Sequence, residues 1–312
     1  MFVGVLFILA ACLCWSLIFI IPEFLLTFSP FEISLGRFFF FGFFSVVVLL
    51  AKRRDLFHKS YWPAWKKACL FGFISMISGY TFTVFCIQRA SPETSVLLFG
   101  TVPIIIALLG NWRQKEYSFR FFWIPCICIG LGMGLVNRGA FLLERVSLSF
   151  YLFGVILGVT GVACWVWYVI SCFDFMKKNK QINSVDWILI LGSVVFCLVV
   201  FVSCGFFLIL ENIDKHISFP SKWPYFLLGS SILGVISSWC ALYCWTQGNL
   251  RLPISLVGLL SIFELVFGLM LSYFVLSRGP GFLEVIGIAL MIIGVFYGFH
   301  VLKKLPAKGS GE

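Results

Sequence analysis

Charge is scarce in this chain. Of its 312 residues only 12% are Asp, Glu, Lys or Arg, while 61% are hydrophobic. A soluble domain carries about a quarter charged residues, so a water-exposed globule is excluded. Short alternating apolar and polar segments are missing too, which argues against a membrane β-barrel. The first apolar run, MFVGVLFILAACLCWSLIFII, has no basic stretch before it and is too long for a secretory leader. It reads as a retained first span. The twelve cysteines include no CxxC pair, so zinc and thiol-redox sites have no support. Nearly all lie inside apolar runs, where a free cysteine behaves as a small hydrophobe. HExxH, GxSxG and paired-Asp motifs are absent. The three histidines, His58, His216 and His300, sit at loops or span ends on different sides. An intramembrane enzyme therefore has no cluster to work with, and no enzymatic activity is expected. GLGMG at 130–134 follows no strand and lies within an apolar run. Together with Gly154 and Gly158 it fits close helix packing rather than nucleotide binding.

What the chain has in abundance is continuous Leu/Phe/Ile/Val-rich segments, each near the ~20 residues that cross a bilayer as a helix. The predicted fold class is all-α integral membrane, with ten transmembrane helices. They fall at about 2–22, 30–51, 68–90, 94–112, 120–137, 150–172, 186–210, 225–247, 253–276 and 281–302. The short connections leave no room for a soluble domain. The closing GSGE reads as an appended linker, so 306–312 is set apart as a tail. Of the 23 Lys and Arg, sixteen fall on one side of this arrangement, in the loops after spans 2, 4, 6 and 8 and in the tail. Six fall on the other side, and Arg37 lies inside a span. The positive-inside rule places both termini in the cytoplasm. The net charge of +10 is thereby an orientation signal, and no nucleic-acid partner is expected.

A repeat runs through the chain. Trp62-Pro63 precedes span 3, and Pro92 follows 29 residues after Pro63. Trp223-Pro224 precedes span 8, and Pro253 follows at the same interval after Pro224. Trp15 in span 1 has Trp165 in span 6 as its counterpart. The expected units are 1–140 and 141–305, five spans each. Five is odd, so the halves would lie inverted in the membrane, an arrangement common in secondary transporters with a midplane site.

Two ionisable residues lie well inside spans. Arg37 is about 10 Å along its helix from Pro30, and Glu264 is near the centre of span 9. A charge there costs at least ~2.5–3.5 kcal/mol. Three placements fit Arg37: snorkelling to the outer headgroups, a structural pair, or contact with an anionic substrate group. Glu264 is too short to snorkel and must face the interior. There it can exchange a proton or hold a cation, bond another helix, or pair with Arg37. Trp15, Tyr80, Trp165, Trp239 and Tyr243 are candidates to line a site by π contact, although interfacial packing accounts for most Trp and Tyr in membranes. Trp239 and Tyr243, four apart, share a helical face. Pro103, in mid-span 4, frees a carbonyl one turn back, and Pro92 and Pro253 open spans 4 and 9. These three are candidate hinge or gating positions.

The opening LFILAACLCWSLIFIIPEFLLTFSPFEISLGRFFFFG resembles the first two helices of the drug/metabolite transporter superfamily, EamA type. Trp15, Pro30 and Arg37 match its Trp, Pro and Arg. FCIQRASPETSVLLFGTVPIIIALL resembles its helix 3–4 signature, with Pro103 at the proline. NLRLPISLVGLLSIFELVFGLML resembles the equivalent in helices 8–9, where Leu265 replaces the family's proline after Glu264. A kink at that point is therefore in doubt. The resemblance covers essentially the whole chain. It implies two inverted five-helix repeats, a central cavity and alternating access. The expected function is secondary transport of a small metabolite, an amino acid or related amine. Arg37 would take a carboxylate and Glu264 a proton or ammonium, in the setting of a multi-pass bacterial inner-membrane protein. No cofactor is expected beyond coupling to protons. The partners expected are lipid and a small-molecule substrate. The alternatives are exchange of a nucleotide-derived metabolite such as S-adenosylmethionine or a nucleotide sugar, and, from another class, an intramembrane enzyme or a channel.

Overall fold

The structure is a computed structural model. It describes residues 2–25, 27–89, 98–114, 118–136, 148–211, 223–275, 277 and 279–304. Among these residues it holds helices and turns and no strand, as backbone in a bilayer must satisfy its own N–H and C=O groups. The predicted tail and Pro92 lie outside the described residues.

The first half contains α1 (Phe2–Ser16), α2 (Pro30–Lys52), α3 (Trp62–Phe71), α4 (Tyr80–Arg89), α5 (Val102–Gln114) and α6 (Trp123–Val136). The second contains α7 (Leu148–Lys178), α8 (Ser184–Glu211), α9 (Trp223–Gly234), α10 (Ala241–Asn249), α11 (Ile254–Leu260), α12 (Phe263–Val275) and α13 (Phe282–Lys304). Six stretches are long and apolar enough to cross a membrane: Phe31–Lys52, Tyr151–Lys178, Ser184–Gly205, Trp223–Asn249, Ile254–Val275 and Phe282–Val301. Phe2–Ser16, Leu98–Arg113 and Trp123–Val136 are shorter apolar helices.

Local chemistry sets the helix starts. Ser29 and Glu32 form a capping box ahead of α2: the Ser29 N–H donates to Glu32 Oε2 at 2.7 Å, and the Glu32 N–H donates to Ser29 Oγ at 3.3 Å. Pro30 occupies the first turn, where its missing N–H costs nothing. Asn183 caps α8 by accepting from the Asp186 N–H at 2.9 Å. The first span is shorter than predicted. After Ser16 the chain tightens into 3-10 turns at Leu17–Phe19 and Ile21–Leu25.

Two π-helical segments interrupt otherwise continuous rods. Gly72–Gly79 joins α3 to α4, and Val235–Cys240 joins α9 to α10. The shift that carries Trp62 onto Trp223 carries the first segment onto residues 233–240. The principal helix pairings also survive exchange of the halves. α4 packs on α7 as α10 packs on α1, and α3 packs on α8 as α9 packs on α2; α2 with α8, α5 with α11 and α6 with α13 are self-matched. The contacts close a ring that runs α4–α7–α5–α11/α12–α1–α10, completed by the α2–α8 pair. The α6–α13 pair lies to one side of it. There Gly132 and Gly287 allow backbone contact: a Cβ on Gly132 would sit 2.5 Å from the Gly287 carbonyl oxygen, as close-packing glycines predict.

The phenylalanine run 38–44 divides by face. Phe38 and Phe41 are buried, and Phe39 and Phe43 are exposed on the apolar outer surface. All twelve cysteines are free thiols.

Candidate functional site

The capping box at Ser29 and Glu32 fixes the register of α2, and two turns on this points Arg37 inward. Its Nε donates to Ser238 Oγ at 2.8 Å, and Nη2 donates to the Ser237 carbonyl at 3.5 Å. The guanidinium lies over the rings of Phe38 and Tyr80, 5.3 and 5.8 Å from their centroids. Of the three placements open to Arg37, snorkelling is thus excluded. Both π segments meet at this cation. Tyr80 follows directly on the first, and Ser237 and Ser238 belong to the second. Ser238 Oγ in turn donates to the Leu233 carbonyl at 3.0 Å, five residues back. That is the spacing a π turn presents.

Glu264 lies in the first turn of α12, just past a break in the helix. Ser261 and Ile262 form a turn between α11 and α12, held by shorter-range bonds: the Glu264 N–H donates to the Ser261 carbonyl at 3.1 Å, and the Leu265 N–H to the Ile262 carbonyl at 3.0 Å. Ser261 Oγ donates to the Gly258 carbonyl at 2.7 Å. The break therefore exists without the proline that Leu265 replaces, and the doubt raised by that replacement is resolved. The Leu260 carbonyl is left to the Cys12 thiol, which reaches it at 3.8 Å and the Ser261 carbonyl at 3.9 Å. Cys12, Glu264 and Arg37 thus converge from α1, α12 and α2. Glu264 and Arg37 lie within electrostatic reach of each other. No N···O contact within 4 Å joins them; the ion pairs between described residues lie elsewhere. Both side chains are half-buried.

An aromatic layer crosses the ring next to this pair. Trp15 meets Trp165 edge-on at 5.9 Å and Trp245 at 5.1 Å, and Trp165 meets Tyr168 at 5.4 Å. The two tryptophans matched by the repeat touch each other. Trp239 and Tyr243 stack in parallel at 6.1 Å, as their spacing predicts, with Phe44 and Phe7 against their outer sides. That stack is a separate group, without ring contact to the Trp15 layer among the described residues. The roomy central cavity implied by the family resemblance is not found among the described residues. A pocket of about 10 Å³ lined by Tyr168, Cys172, Trp245, Thr246 and Asn249 among others has room for about one water.

The prolines mark helix starts. Pro253 is the N-cap of α11. Pro103 is the second residue of α5, and the turn at Thr101 separates α5 from helical residues 98–100. The Trp62-to-Trp223 shift carries Thr101 onto Ile262, so both halves break at the same place.

At the end bearing the basic loops, Arg53 pairs with Asp186 and with Asp55, and Arg113 Nε lies 2.8 Å from Asp174 Oδ2. The Arg53 guanidinium beside Asp55 holds that carboxyl below the usual carboxylate range. The sequence reading singled out none of Ser237, Ser238, Asp174 and Asp186. The acids sit near span ends, where charge is unremarked, and the serines are ordinary in membrane helices.

Residues 2–138 match the EamA-like transporter family. Over 98% of its length the chain is 26% identical to inner membrane protein YtfF of Escherichia coli (strain K12), of which the match covers 98%. A crystal structure superposes with TM-score 0.76 over 96% of this chain and 98% of its own, at 18% identity, which shows a shared fold. The chain is a multi-pass membrane protein, similar over its first 138 residues to the EamA-like transporter family.

Proposed function

We propose that the protein is a ten-span secondary transporter, built of two inverted five-helix repeats at 1–140 and 141–305, that carries amino acids or related amines by alternating access. The repeat reading is supported by the matched π segments, the matched breaks in spans 4 and 9, and a family match that ends at residue 138. The observation that carries the substrate class is the placement of Arg37, anchored on Ser238, within electrostatic reach of Glu264, with no N···O contact inside 4 Å joining the two.

Charge balance explains why a zwitterion suits such a site. A site holding one cation and one anion in electrostatic reach is close to neutral. A carboxylate docking on the Nη edge of Arg37, in place of the long contact to the Ser237 carbonyl, gains a forked, charge-assisted pair, while the ammonium of the same molecule meets Glu264. No unpaired charge is then left in the low-dielectric interior, where it would be costly. For an amine lacking a carboxylate, protonation and release at Glu264 supplies the balance, which is the basis for proton coupling. Trp239 and Tyr243 offer a stacked aromatic wall for a cationic or ring-bearing side chain.

The test is a thermal-shift screen of purified protein against amino acids and amines, repeated on Arg37→Ala and Glu264→Gln. A compound that raises Tm of the native protein by several degrees and loses that effect in both variants is the expected result. A compound that stabilises all three alike sinks the site assignment. Hits confined to nucleotide-linked metabolites would transfer the reading to an exchanger.

A further inference from the structure

The small pocket beyond the aromatic layer takes no part in the site above. It lies in the seam between α7, which supplies Tyr168, Cys172 and Met176, and the α10 end of the next rod, which supplies Trp245, Thr246 and Asn249. Its walls are mostly apolar, but Tyr168, Thr246 and Asn249 also line it. The Asn249 amide is 8% exposed, and its Oδ1 has no hydrogen-bond partner. A buried acceptor of that kind is destabilising unless water reaches it. α7 and α10 are not paired with each other among the principal helix pairings, so side chains rather than close-packed backbones hold the seam shut.

Two ion pairs close the same end of the molecule, and each joins one half to the other. Arg53, at the end of α2, pairs with Asp186 of α8, whose side chain is 2% exposed; a second contact, Nη2 to Oδ2, measures 3.2 Å. Arg113, near the end of α5, pairs with Asp174 of α7. Separating the halves at this end must break both pairs, and that separation would widen the seam and let solvent reach Asn249. Trp245, which lines the pocket, meets Trp15, and Trp15 in turn meets Trp165.

We propose that this pocket is the collapsed inner vestibule of the transport path, walled from the site by the three tryptophans and latched shut on the basic-loop side by Arg113–Asp174 and Arg53–Asp186. The structure is then the form closed toward the basic loops, and the vestibule hydrates when the latches part. The inference rests on the alternating-access reading but not on the substrate.

Cys172 lines the pocket and serves as a native reporter. Membrane vesicles of each orientation are treated with a charged, membrane-impermeant methanethiosulfonate, and modification of Cys172 is quantified by peptide mass spectrometry. In the native protein, modification is expected to be slow from the basic-loop face and undetectable from the other. Arg113→Gln, at a half-exposed position, is expected to raise the rate at least fivefold from the basic-loop face alone. Arg113→Asp combined with Asp174→Arg is expected to return it to the native rate. An unchanged rate in Arg113→Gln, equal rises from both faces, or a swap that fails to restore the native rate would each overturn the proposal. Because the readout is solvent access rather than transport, failure to find a substrate leaves it standing or falling on its own.

Discussion

Ser238 shows how much one oxygen can decide. It accepts from Arg37 Nε at 2.8 Å while donating to the Leu233 carbonyl at 3.0 Å, so its hydroxyl has a defined direction and Arg37 a defined anchor. Removing the hydroxyl leaves a desolvated guanidinium N–H unmet, which costs ~1–3 kcal/mol. Ser238→Ala should therefore raise KM about tenfold in proteoliposome counterflow with little change in maximal rate, and Ser238→Thr should recover most of the loss. A parallel loss in both variants would mean that Ser238 matters only for packing. Arg37 and Glu264 were legible in the sequence because a charge in an apolar run is chemically conspicuous. Ser238 was not, since its partner lies 201 residues away and nothing in VISSWC marks that serine as the one that meets it.

Among the elements, the informative features are the breaks. A proline predicts an interruption, and the turn at Thr101 lies two residues ahead of Pro103. Span 9 has no proline at the matching place and still breaks, because Ser261 turns its hydroxyl onto the Gly258 carbonyl and the chain tightens to three-residue bonds. Such side-chain competition with the helix ladder depends on tertiary neighbours, which is why it was not legible. The same region shows why α11 and α5 must stay small where they cross: a Cβ on Gly258 would sit 2.5 Å from the Ala107 backbone nitrogen. Gly258→Ala should therefore force the helices apart at a cost of about 1–3 kcal/mol and lower Tm by several degrees. Gly134→Ala, in the GLGMG stretch, meets nothing within 4 Å and should leave Tm unchanged or slightly higher, since alanine is the better helix former. Equal melting of the two variants would remove the case for a tight α5–α11 crossing.

At the scale of the whole molecule the strongest sequence signal was the matched Trp-Pro pair. Both copies stand where a rod begins, and the π segment ends 17 residues on in each half, at Gly79 after Trp62 and at Cys240 after Trp223. What the repeat could not reveal is that Trp15 of α1 meets both Trp165 of α7 and Trp245 of α10, a set of contacts that no single periodicity encodes. Inversion itself rests on parity: an odd number of crossings per half reverses the second half relative to the first, and the basic loops then share one side. Enzymatic reporters fused after residue 180 and after residue 304 should both score as cytoplasmic, whereas fusions within 137–147 and 212–222 should score on the opposite side. The second pair is the sharper test, because 137–147 joins the halves and 212–222 precedes the second Trp-Pro pair. Should 137–147 and 179–183 report from one side, α7 would not cross the bilayer and the halves would be parallel. Arg37 and Glu264 would then be neighbours without a shared axis, and the latched end would lose its assignment to the cytoplasm.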